Sequence, residues 1–166
     1  MTPKTNQPSL SQRLQDTIVE KVNGSRVTIV VGPTGSGKST LVPSCLVDHL
    51  GGPVLCTQPR RLAVVAVANF VAETSGAIIG RTVGYHVGQS NVSTNKTNLL
   101  FCTAGILLEE LRGKGVEALT RYKCVLIDEC HERSSESDLC LAIIKQLMKY
   151  EDTNRNYIKY KMPTVR

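Results

Sequence analysis

A β-branched run, Val27-Thr28-Ile29-Val30-Val31, leads without a break into Gly32-Pro33-Thr34-Gly35-Ser36-Gly37-Lys38-Ser39-Thr40. The run is too short for a helix and apolar enough for a buried parallel strand. The stretch that follows, 39–50, reads as a helix stopped by Gly51-Gly52-Pro53. Strand, G-x-x-x-x-G-K-S, helix is the context in which such a loop binds phosphate. Glycines let successive backbone N–H groups curl toward phosphate oxygens, and the helix N-terminus adds a favourable dipole. Residues 32–40 therefore form the expected cradle. Lys38 would reach the β- and γ-phosphates, and the Ser39 hydroxyl would ligate Mg²⁺.

A second element completes this chemistry. Val125-Leu126-Ile127 is an apolar strand that delivers Asp128 and Glu129 at its C-terminal end, the edge at which ligands of open α/β sheets sit. Asp128 is placed to hold Mg²⁺, and Glu129 to orient or deprotonate an attacking water. The pair describes a Mg²⁺–nucleoside triphosphate site whose natural use is hydrolysis.

The rest of the chain fits one α/β domain. Its 166 residues are about one domain's worth, and 41% hydrophobic content supports one packed core. Helices are predicted from Leu10 to Val22, over 60–74, over Ile106–Leu111 and over Ser137–Tyr150. Strands are predicted at Val54–Cys56, Val83–Val87, Leu99–Cys102 and Tyr122–Ile127, with a polar loop over Gly88–Asn98. This alternation predicts a mainly parallel sheet with helices on both faces. Residues 1–9 read as a flexible lead-in, 10–150 as the domain and 151–166 as a tail.

Composition narrows the partners. The net charge of +6 favours an anion, whereas the absence of Trp and 4% aromatics disfavour a base-stacking platform. No run of about 18 apolar residues exists to span a membrane. The six cysteines contain no C-x-x-C pair and read as small buried thiols of a reducing, intracellular compartment. Nucleus and cytoplasm are not separable on these grounds.

Asp128-Glu129-Cys130-His131 resembles the D-E-x-H box of the DEAH/DExH-box RNA helicases. Gly32–Thr40 is similar to helicase motif I, and Thr57-Gln58-Pro59-Arg60-Arg61 to motif Ia. Val83-Gly84-Tyr85 matches the V-G-Y segment, Thr103-Ala104-Gly105-Ile106-Leu107 the T-x-G-x-L motif, and Asp128–Arg133 motif II followed by E-R. The motifs occur in family order from residue 10 to about 150. The resemblance implies a single RecA-like P-loop NTPase domain, the first of two, that uses ATP and Mg²⁺ and acts on RNA. It implies that Arg13 approaches the nucleotide base and that His131 links the nucleotide site to a later motif. Read on its own, His131 is equally a structural histidine. Thr57, Gln58, Pro59, Arg60, Arg61, Thr103 and Gly105 would line a track for the sugar-phosphate backbone of single-stranded RNA, a sequence-blind and salt-sensitive contact.

Two positions depart from that pattern. Ala104 stands where the family has an acidic residue, and Gly88 where it has an Arg. No Ser-Ala-Thr motif III follows motif II, and nothing corresponds to the second RecA-like domain with its arginine fingers. The chain is thus expected to be the first half of an enzyme, with weak or no turnover by itself. Other nucleoside triphosphates remain admitted, since no adenine-reading motif precedes the loop. Two alternatives stay open: a truncated, non-catalytic nucleotide- or RNA-binding fragment, and a P-loop ATPase that never meets nucleic acid. Asn95-Lys96-Thr97-Asn98 mimics a guanine-reading N-K-x-D, but it ends in Asn98 instead of an acid.

Overall fold

The computed structural model describes residues 12–153 and 164–165. The lead-in and most of the tail lie outside them. Helices α1 (Gln12–Gly24), α2 (Leu41–Leu50), α3 (Arg61–Ser75), α4 (Ala104–Lys114) and α5 (Ser135–Thr153) alternate with β1 (Val54–Gln58), β2 (Val83–Val87), β3 (Ser90–Val92), β4 (Leu99–Thr103), β5 (Cys124–Ile127) and β6 (Thr164–Val165). The sheet order is β3-β2-β4-β1-β5-β6. Every pairing is parallel except β2 with β3.

Side-chain alternation along the strands sorts the core into two layers. Val54, Cys56, Leu99, Phe101, Cys124 and Leu126 pack with Ile18 and Val22 of α1, Val42 and Leu46 of α2, and Val64 and Ala68 of α3. On the opposite face, Leu55, Leu100, Cys102, Val125 and Ile127 meet Leu107 and Leu111 of α4 and Cys140 and Ile144 of α5. Every residue of β1 and β5 is buried, as expected for a parallel sheet covered on both sides.

Three sequence expectations change. Among the described residues, the run Val27–Val31 belongs to no named strand and shows only an isolated bridge at Val27. Ile29 is 82% and Val31 89% exposed. A strand is held by hydrogen bonds to a neighbour, and among the described residues the second side of β5 is taken by Thr164 and Val165 of β6. An apolar cleft of about 330 Å³ is lined by Val27–Val30 on one side and Leu126–His131 on the other. Second, the polar loop after Val87 contains β3, which folds back on β2 with Tyr85 opposite Val92. Gly84 permits this approach, since a Cβ there would lie 2.6 Å from the Val92 carbonyl oxygen. Third, the helix predicted over Ile106–Leu111 starts at Ala104 and runs to Lys114, with Gly115 as its C-cap.

Five cysteines are buried and Cys130 is exposed. Burial pushes the Cys56 and Cys102 thiols well up, and burial followed by the charge of Glu136 pushes Cys140 up to about 12. The folded chain thus keeps protons that the unfolded chain releases above about pH 8.5. Stability is expected to hold below that pH and to fall as pH rises toward 12, measured as the denaturant midpoint. Phe101→Ala, at a fully buried position in the central layer, is expected to cost about 3–5 kcal/mol in the same assay.

Candidate functional site

The phosphate-loop sequence bends where its glycines allow. Gly35 and Gly37 have φ of 79° and 85°, a region costly for residues with a Cβ. At Gly37 a Cβ would also meet Leu41 Cδ1 at 2.6 Å. The Gly37 carbonyl accepts the N–H groups of Thr40, Leu41 and Val42 at 3.2, 2.8 and 3.2 Å, which closes the loop onto the start of α2. That helix has no acidic residue in its first turn and no side-chain cap at Thr40, so the positive end of its dipole is left to an external anion. Lys38 Nζ donates to the carbonyls of Gly32 at 2.6 Å and Pro33 at 2.7 Å. Its ammonium is therefore held inside the loop.

A cavity of about 320 Å³ is lined by Thr34, Gly35, Gly37, Lys38, Ser39, Thr40 and, from across the sheet edge, Glu129. Phe70 of α3 closes it. Nothing in the sequence singled out Phe70, because only the packing of α3 brings it to the loop. Gly32, Pro33 and Ser36 line the adjoining cleft beside α1 together with Lys38. Arg13 is exposed and lines neither cavity, although its neighbours Leu14 and Thr17 border the second.

The carboxylates sit where β5 ends. The Asp128 N–H extends the ladder to the Thr57 carbonyl at 3.3 Å. Asp128 Oδ1 accepts the Glu129 N–H at 2.9 Å, and Oδ2 accepts the Gln58 amide. Glu129 and Arg133 adopt left-handed φ of 51° and 54° and bracket the one-turn helix Cys130–Glu132. Positive φ at a residue with a full side chain is uncommon and tends to mark constrained functional turns. Glu129 Oε2 lies 3.3 Å from Nδ1 of His131, whose side chain is 78% exposed. Asp128, Glu129, Cys130 and His131 line the cleft that Lys38 also reaches. Asp128 and Ser39 offer hard oxygen donors of the kind Mg²⁺ takes when phosphates and waters complete its shell.

The expected nucleic-acid residues divide. Pro59, Arg61, Thr103 and Gly105 line one groove of about 180 Å³ together with Ala104, Ser134 and Glu136. Arg60 is exposed beside it and pairs with Glu132 at 3.6 Å. Thr57 and Gln58, expected to face the same backbone, are buried instead. The Thr57 hydroxyl donates to the Leu126 carbonyl at 3.4 Å, and Gln58 turns to Asp128. Both belong to β1, whose side chains lie between the helical layers.

Known proteins share this arrangement. The chain is 51% identical over 144 residues to the zinc finger CCCH domain-containing protein 4 of Oryza sativa subsp. japonica, covering 85% of this chain and 14% of that protein. It is 47% identical over 152 residues to the DExH-box ATP-dependent RNA helicase DExH8 of Arabidopsis thaliana, covering 90% and 15% respectively. The chain thus spans about a seventh of the length of these relatives. Among solved structures, the Escherichia coli DEAH/RHA helicase HrpB superposes with a TM-score of 0.79 at 29% identity, over 92% of this chain and 19% of that one. The sequence pattern of the DEAD/DEAH box helicases matches residues 12–159. Fold, motif order and sequence agree: the chain belongs to the DEAD/DEAH box helicase family and forms its RecA-like ATP-binding domain.

Proposed function

We propose that this domain binds Mg²⁺–ATP and, joined to a second RecA-like domain, couples hydrolysis to remodelling of RNA. One observation carries the reading: Lys38, Ser39 and Glu129 line a single cavity, and the track groove opens at the same edge of the sheet. Lys38 and the N-terminus of α2 bind the phosphates. Ser39 and Asp128 hold Mg²⁺, which when bound neutralises charge developing on the phosphoryl oxygens. Glu129 orients the attacking water and accepts its proton, and His131 Nδ1 faces the same carboxylate. Pro59, Arg60, Arg61, Thr103 and Gly105 grip the phosphates of a single strand without reading bases.

Lys38→Ala is expected to abolish ATP binding in a fluorescence titration, and equal binding by both proteins would reject the nucleotide assignment. Glu129→Gln is expected to retain binding and lose residual hydrolysis. Arg60→Glu with Arg61→Glu is expected to remove salt-dependent binding of single-stranded RNA while leaving ATP affinity intact. RNA binding unchanged in that variant would favour a P-loop ATPase that does not use this track.

A further inference from the structure

Gln58 is the odd residue of its strand. Val54, Leu55, Cys56 and Thr57 give β1 an apolar or small side chain at every other position, yet the strand ends in a long amide that is 4% exposed. Burying a primary amide without partners is costly, and an aliphatic side chain would fill the same space without that cost. The position therefore calls for a polar partner, and the strand register supplies one.

Pairing of β1 with β5 sets Thr57 beside Ile127, so the next residues, Gln58 and Asp128, stand side by side. They follow Cys56 and Leu126 on the face that packs against α2, the face on which the phosphate loop turns into its helix. Gln58 Nε2 donates to Asp128 Oδ2, while Oδ1 accepts the Glu129 N–H at 2.9 Å. Each carboxylate oxygen is thus held by one donor, and the plane of the group is fixed by one bond from β1 and one from the turn after β5. Every carboxylate oxygen has a second lone pair. The direction of those remaining pairs is set by Gln58 on one side and the backbone on the other.

We infer that Gln58 is a positioning residue for Asp128, holding its carboxylate with the free lone pairs turned to a divalent cation. The inference rests on the nucleotide-site reading above and assigns Gln58 a place in it, away from the strand-binding track its sequence neighbourhood suggests. Partners that orient a metal ligand typically change metal affinity by about 10–100-fold when removed. The effect is expected on the cation alone, since Gln58 lines neither the phosphate-loop cavity nor the cleft beside α1.

The test is an equilibrium titration of a fluorescent ATP analogue against the whole chain, with and without Mg²⁺, read as the ratio of the two affinities. Gln58→Met keeps the length and apolar bulk and removes the donor. Gln58→Asn keeps the amide and withdraws it from reach. Both are expected to bind metal-free nucleotide as the wild type does and to lower the Mg²⁺ ratio by about 10-fold or more. In an Asp128→Asn background, Gln58→Met is expected to change nothing further, since its action runs through the carboxylate. A wild-type ratio in Gln58→Met, or an undiminished effect of that substitution without Asp128, overturns the inference. Loss of metal-free binding in both variants also overturns it, by showing Gln58 to be structural. A wild type whose binding does not respond to Mg²⁺ would instead reject the metal-site reading on which the inference rests.

Discussion

Strand β1 is hydrogen-bonded to a parallel neighbour on each side, β4 and β5, and parallel pairing forces all three strands to end at one edge. Each strand at that edge hands its last residue to a functional loop. From β1 come Pro59 and the two arginines, from β4 comes Thr103, and from β5 come Asp128 and Glu129. The return path of every connection must then lie on a face, which is why helices cover both sides and why these three strands are almost wholly buried. A one-residue slip between β1 and β5 would move Gln58 away from Asp128 and turn buried side chains toward the wrong layer. Register is therefore the constraint on which the chemistry depends.

Charge at this edge is arranged in short, exposed pairs. Arg60 meets Glu132 at 3.6 Å, and Arg133 meets Asp138 at 2.9 Å. Pairs this open to water contribute little to stability. An arginine so weakly held can be exchanged from a carboxylate to a phosphate oxygen at small cost. Asp128 is the contrast, since its oxygens are bound by groups that do not move with solvent.

What the residues revealed beforehand was whatever local chemistry alone decides. The glycines at 35 and 37, the lysine after them and the carboxylates after an apolar strand carry their meaning in a few adjacent positions. Parallel strands were legible at Val54–Cys56, Leu99–Cys102 and Tyr122–Ile127, within a residue or two of their observed ends, because burial on both faces leaves an apolar run. Pairing decisions were not legible. Nothing local in Val27–Val31 says whether a neighbour will be there to bond it, and nothing in Ser90–Val92 announces a strand until Gly84 is seen to admit it. Thr57 and Gln58 were misplaced for a related reason. A motif names a stretch of chain, whereas alternation along β1 decides which of its side chains reach a surface. Phe70 had no signal, because its role comes from where α3 docks.

The exposed apolar run after α1 has a colloidal side. Ile29 and Val31 present apolar side chains to solvent and, among the described residues, belong to no named strand, the kind of edge that templates pairing between molecules. A net charge of +6 on 166 residues opposes such encounters by mutual repulsion. Salt screens that repulsion and leaves the apolar edge untouched. An ionic strength that would loosen the proposed grip on a phosphate backbone would thus also favour contact between copies of the domain, so its useful salt window would be bounded from above on both counts.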